Sequence, residues 1–83
     1  MPEAPVGNST VTMGSEALAQ WRKLPASGTV TVTGATAWRL YDPEFKLLSS
    51  GDGSGSTALL GQGTAAYLLV YGMAQTPIQL TVA

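Results

Sequence analysis

The side chains of this chain that can do chemistry are few. There are five carboxylates, Glu3, Glu16, Asp42, Glu44 and Asp52, four basic residues, and neither His nor Cys. Without His or Cys, the usual general base, thiol nucleophile and zinc ligands are missing. Seven serines remain, but none has an imidazole to activate it and no Gly-x-Ser-x-Gly elbow occurs. Ser27, in "PASG", reads as a turn residue. A glycosidase needs two carboxylates held across a bond in a shaped cleft. Asp42 and Glu44 stand on one tight turn and cannot flank a substrate. Asp42, Glu44 and Asp52 offer oxygen to calcium, yet no Asp-x-Asp-x-Asp-Gly loop is present, so a dedicated metal site is not expected. "GDGSGS" and "GQG" lack the Gly-Lys-Ser/Thr of a phosphate loop, and their glycines read as flexible or positive-φ positions. The expectation is a non-enzymatic protein with no cofactor.

Composition narrows the class further. Eighty-three residues make one domain near the lower size limit, and no disulfide framework supports it. Only 11% of residues are charged, against about 25% in an ordinary globular domain. Solubility must come from Ser, Thr, Gln and Gly, or part of the surface must be covered in the working state. A net charge of −1 with four dispersed basic residues gives no patch to track phosphates, so nucleic acid is not an expected partner. No run approaches the roughly 18 apolar residues of a membrane span. The start, "MPEAPVGNST", has neither the basic nor the apolar region of a signal peptide.

The elements that would carry any site are strands. Val30 and Val32 alternate with three Thr in "TVTVT", and β-branched residues suit a pleated surface. Trp38 and Leu40 share one face, opposite Arg39 and Tyr41. Asp42-Pro43-Glu44 is a turn, after which Phe45 and Leu47 are expected to resume the inward alternation. "GDGSGS" reads as a flexible polar loop, "TALL" as a short strand and "GQG" as a turn. "AAYLLVYG" is apolar on both sides, as in a central strand or one facing a partner. Ile78, Leu80 and Val82 close the chain, facing inward. "SEALAQWRKLP" fits a short capped helix or an alternating strand, and the strand reading is preferred. Residues 1–14, rich in Pro, Gly and small polar groups, read as a flexible N-terminal arm, leaving residues 15–83 as the domain. The fold expected is all-β, a small antiparallel β-sandwich of jelly-roll or Ig-like type.

Taken together, "LPASGTVTVTG", "WRLYDPEFKLL", "GQGTAAYLLVYG" and "TPIQLTV" resemble the bacterial pre-peptidase C-terminal domain over about residues 21–83. The resemblance implies a small β-sandwich of the kind appended to secreted peptidases, and hence an extracellular binding module. The chain departs from that pattern at Phe45, where the family's turn has Gly, and at the two Ala before Tyr67, where the family has paired aromatics.

Two functions are therefore expected. The first is a structural or assembly protein working through protein–protein contacts as a homo-oligomer. By analogy of size and composition it is like a bacteriophage capsid decoration or cement protein, located in the virion. Its expected contacts are Val6, Val11, Met13, Tyr41, Phe45, Tyr67, Leu69 and Tyr71. The alternative is a carbohydrate- or peptide-binding module, in which outward aromatics stack on a ligand.

Overall fold

The computed structural model describes residues 1–15, 18–25, 28–58 and 66–83, with the backbone alone at 56–58. The chain forms eight strands: β1 (Gly7–Thr12), β2 (Ala19–Leu24), β3 (Thr29–Thr33), β4 (Ala37–Tyr41), β5 (Leu47–Asp52), β6 (Gly55–Ala58), β7 (Ala66–Tyr71) and β8 (Pro77–Val82). They build two antiparallel four-stranded sheets, ordered β1-β8-β3-β6 and β2-β7-β4-β5. This interleaved order is that of a jelly roll, and it selects that topology over the Ig-like one. Only β4 and β5 are consecutive neighbours within a sheet. Every other connection crosses from one sheet to the other.

Period-2 patterning explains the core. Val30 and Val32, Trp38 and Leu40, Leu68 and Val70, and Ile78, Leu80 and Val82 are buried between the sheets. Each alternates with residues facing outward, as the pleat requires. Buried side chains of this size each contribute about 1.5–3 kcal/mol, and no charged or polar residue is buried among those described.

The N-terminal segment is not an arm. β1 runs along β8 in register from Gly7↔Val82 to Thr12↔Pro77. Val11 and Met13 are 1% and 2% exposed, so both fill the core and neither is the partner contact expected of it. Thr and Asn in β1 belong to a sheet whose outer face is polar, and only Val11 and Met13 reveal the inward stripe. Upstream, Ala4 N–H donates to Lys23 O, and Lys23 N–H donates to Pro2 O. The chain start thus covers part of the open edge of β2 before turning to the opposite sheet at Gly7.

Two further expectations are corrected. "GDGSGS" is mostly strand: Gly51 and Asp52 end β5, Gly55 begins β6, and only Gly53 and Ser54 turn between them. The turn is tied down by Gly53 N–H donating to Thr36 O and by Gly34 N–H donating to Ser54 Oγ. Phe45 and Leu47 do not face inward but are 53% and 50% exposed. The register slips at Leu40/Tyr41, a bulge that leaves Ser49 and Gly51 opposite Leu40 and Trp38 on the inner side. Gly51 is needed there because a Cβ would stand 2.8 Å from the Trp38 indole. The strand reading of residues 19–24 holds. Glu16, Ala17, Ser27, Leu59, Leu60 and the "GQG" turn lie outside the described residues.

Candidate functional site

The outer faces of the two sheets differ in kind. On β1-β8-β3 the outward residues include Asn8, Thr10, Thr12, Gln79, Thr81 and the Thr residues of β3. Thr10 Oγ1 donates to Gln79 Oε1 at 3.2 Å, and Thr81 Oγ1 donates to Asn8 Oδ1 at 2.9 Å. Uncharged hydrogen-bonding groups thus supply solubility on this side, which accounts for the low charge of the chain.

The outer face of β2-β7-β4-β5 is aromatic and apolar. The register places Lys23, Tyr67, Tyr41 and Leu47 in one row across the sheet, Trp21, Leu69, Arg39 and Ser50 in the next, and Ala19, Tyr71, Ala37 and Asp52 in the third. Tyr67, Leu69 and Tyr71 are half-buried, while Ala66, Leu68 and Val70 of the same strand are fully inside. β7 is apolar on both sides because one face fills the core and the other carries this surface.

Phe45 joins the face from above, and the β4–β5 turn is what puts it there. Asp42 Oδ1 accepts the N–H groups of Glu44 and Lys46, both at 2.9 Å. Asp42 O accepts from Phe45 N–H, and Asp42 N–H donates to Lys46 O. Pro43 presets the turn's first φ. The last turn residue must then be left-handed, the place where hairpins of this length favour Gly. Here it is Phe45, with φ 61°. A left-handed non-glycine residue costs roughly 1–2 kcal/mol.

That strained backbone lays the Phe45 ring on Tyr67, centroids 4.7 Å apart and planes 11° from parallel. Trp21 meets Phe45 edge-on at 5.7 Å and lies 5.4 Å from Tyr41. The result is a cluster of four rings, Trp21, Tyr41, Phe45 and Tyr67, in contact on a solvent-facing sheet. Beside it, the Arg39 guanidinium lies 5.7 Å from the centre of the Tyr71 ring. The Arg39 pKa is raised, first by a hydrogen bond with Tyr41 and then by Tyr71, with a smaller push from Asp52.

Asp42 spends its carboxylate on the turn, and Glu44 is exposed at the tip. Among the described residues no three carboxylates gather to hold a metal ion. A concavity of about 350 Å³, lined by residues 3–6 and 23–25, lies at the chain start and contains only Glu3 and Lys23 as charged groups.

Of the expected contacts, the structure brings Tyr41, Phe45, Tyr67, Leu69 and Tyr71 onto one face. Val6 is exposed near the chain start, apart from them. Trp21, expected only as one ring of the alternative sugar-stacking platform with Trp38, Tyr41, Tyr67 and Tyr71, joins this face, whereas Trp38 is in the core and Arg39 was not expected as a contact. Trp21 shares a side with Ala19 and Lys23 by alternation, but only the cross-strand register shows that this side faces outward beside Tyr67 and Phe45. Comparisons with known protein families, curated proteins and solved structures gave no match.

Proposed function

We propose that this protein is a non-enzymatic assembly component that docks onto a larger protein surface, as a virion decoration protein does, through the outer face of β2-β7-β4-β5. The observation carrying the reading is Phe45. A half-exposed aromatic stands at left-handed φ where Gly would serve the fold equally well, and residues held in such backbone conformations gather at binding sites. Contacting aromatics beside an Arg are the composition of interface hot spots. The uncharged, hydrogen-bonded Thr face on the other side suits the surface left toward water.

A glycan-binding module is the second reading, favoured by the number of rings. A sugar platform needs open ring faces, however, and Phe45 and Tyr67 cover each other. That stacking favours a protein partner. Co-sedimentation with purified virus particles of the source genome tests the first reading, and a glycan array tests the second. Binding to particles without glycan hits supports docking. Glycan hits quenched by Phe45→Ser, without particle binding, would replace it.

A further inference from the structure

Charge is divided unequally between the two sheets. β1, β3, β6 and β8 contain no charged residue. Arg22, Lys23, Arg39 and Asp52 all belong to the other sheet, and Glu44 and Lys46 to its hairpin. On the outward rows of that sheet, Lys23 lies in the edge strand β2 and Asp52 ends the edge strand β5. Only Arg39 stands on a central strand, between Leu69 of β7 and Ser50 of β5. Its outward neighbours along β4 are Tyr41 and Ala37, and its guanidinium lies 5.7 Å from the centre of the Tyr71 ring. Asp52 is one strand and one row away, and of the groups acting on Arg39 it acts least. Among the described residues, then, Arg39 has a ring beside it and no carboxylate in contact.

Such a charge is at ease in water but not under a partner. A guanidinium offers five N–H donors, accepts nothing and keeps its proton. Covering the face takes it out of water, which is costly unless the charge is paired and its donors are met. Leu69 and Ala37 cannot accept a hydrogen bond. Arg39 is exposed, and its neighbours Ala37 and Ser50 are small, so a group from outside can reach it. The planar fork of Arg matches a carboxylate through two parallel hydrogen bonds. Lys23 and Arg39 are two strands apart and make no track for a phosphate backbone. We infer that the partner presents an Asp or Glu carboxylate set among apolar side chains, and that this carboxylate pairs with Arg39 when the aromatic face is covered. The inference rests on the docking reading and adds to it the chemistry of the partner. The rings supply contact area. Arg39 supplies selection, because a wholly apolar or basic surface would leave the guanidinium buried without a partner.

Co-sedimentation with purified virus particles of the source genome tests it, using untreated particles and particles whose carboxylates have been amidated with a carbodiimide and glycinamide. Arg39→Met, which keeps the length and removes the charge, should weaken binding to untreated particles by about thirtyfold or more, as for truncation of a buried charge pair. Amidation should weaken binding of the native chain by a similar factor and leave that of Arg39→Met unchanged. Arg39→Glu should abolish binding, and Arg39→Lys should fall between, because an ammonium lacks the fork. Lys46→Met, on the hairpin, should change binding by less than about threefold, as for an exposed charge. Circular dichroism checks that each variant folds, and Arg39→Gln replaces Arg39→Met if the latter does not. Native binding that is lost with Phe45→Gly but kept with Arg39→Met overturns the inference and leaves the docking reading standing. Loss with Arg39→Met, joined to full binding of the native chain on amidated particles, overturns the carboxylate in favour of a phosphate or a backbone carbonyl. No binding of the native chain to untreated particles overturns the docking reading, and this inference falls with it.

Discussion

Phe45 lies face to face on Tyr67, with centroids 4.7 Å apart and planes 11° from parallel. One residue comes from a hairpin turn and the other from the central strand β7. The pair joins a strained turn to the broad face of a sheet. Ring stacking of this kind is worth about 0.5–1.5 kcal/mol, close to the cost of the left-handed backbone at Phe45. The turn is therefore near neutral for stability, and the surplus of an aromatic over a glycine there is its contact surface.

Phe45→Gly removes both terms together. The variant is expected to melt within about 5 °C of the native chain, since a 1 kcal/mol change moves a domain of this size by about 4–8 °C. Docking should weaken by about tenfold or more, as for a hot-spot residue. Phe45→Val keeps the left-handed backbone with a β-branched side chain that suits it poorly, so it should lower the melting temperature. Thermal denaturation followed by circular dichroism reads both.

Asp42→Ala leaves the N–H groups of Glu44 and Lys46 without the carboxylate that accepts them. A loss of about 1–2 kcal/mol is expected, together with greater exposure of Phe45 as the turn loosens. Asp42→Asn keeps the accepting oxygen and should retain most of the stability. Urea titration distinguishes the two variants by their midpoints.

Gly51→Ala places a Cβ 2.8 Å from the Trp38 indole. The ring is buried in the core, so overpacking that destabilises by about 1–3 kcal/mol is expected. The emission of Trp38 should shift as its packing changes. The Trp21→Phe background isolates that signal, because the chain has only two Trp.

Deleting residues 1–12 distinguishes an integral strand from an arm. β8 would lose its β1 neighbour, and the inner side would lose Val11. The truncated chain should fail to show a cooperative melt. A native-like transition would restore the arm reading.

Stability should be nearly level between about pH 6 and 9. The chain has no His or Cys to titrate there. The Arg39 pKa is raised, so its contribution is fully present below the ordinary arginine value. It is lost only as pH rises through the still higher folded value, far above this window. Melting temperatures across the range check it.

The sequence was most legible where alternation is strict. Val30 and Val32, Trp38 and Leu40, and Ile78, Leu80 and Val82 declare their faces by spacing alone, and the sandwich follows from them. It was least legible where one residue breaks the count. The bulge at Leu40/Tyr41 turned Leu47 outward while Ser49 and Gly51 stayed inward, and no local propensity announces a register slip. β1 was hidden because its outward residues are Asn and Thr, which read as loop. The aromatic face was half legible: Tyr67, Leu69 and Tyr71 show by their two-sided strand. Trp21 joins them only through pairing with a strand about fifty residues later in the chain.

The central claim is that the face around Phe45 and Tyr67 is the surface by which this protein joins an assembly. The most direct measurement is quantitative co-sedimentation with purified virus particles of the source genome, comparing the native chain with folded Phe45→Gly and Tyr67→Ser. The account predicts saturable binding by the native chain and a loss of about tenfold or more for each variant. No binding by the native chain, or equal binding by all three, would contradict it.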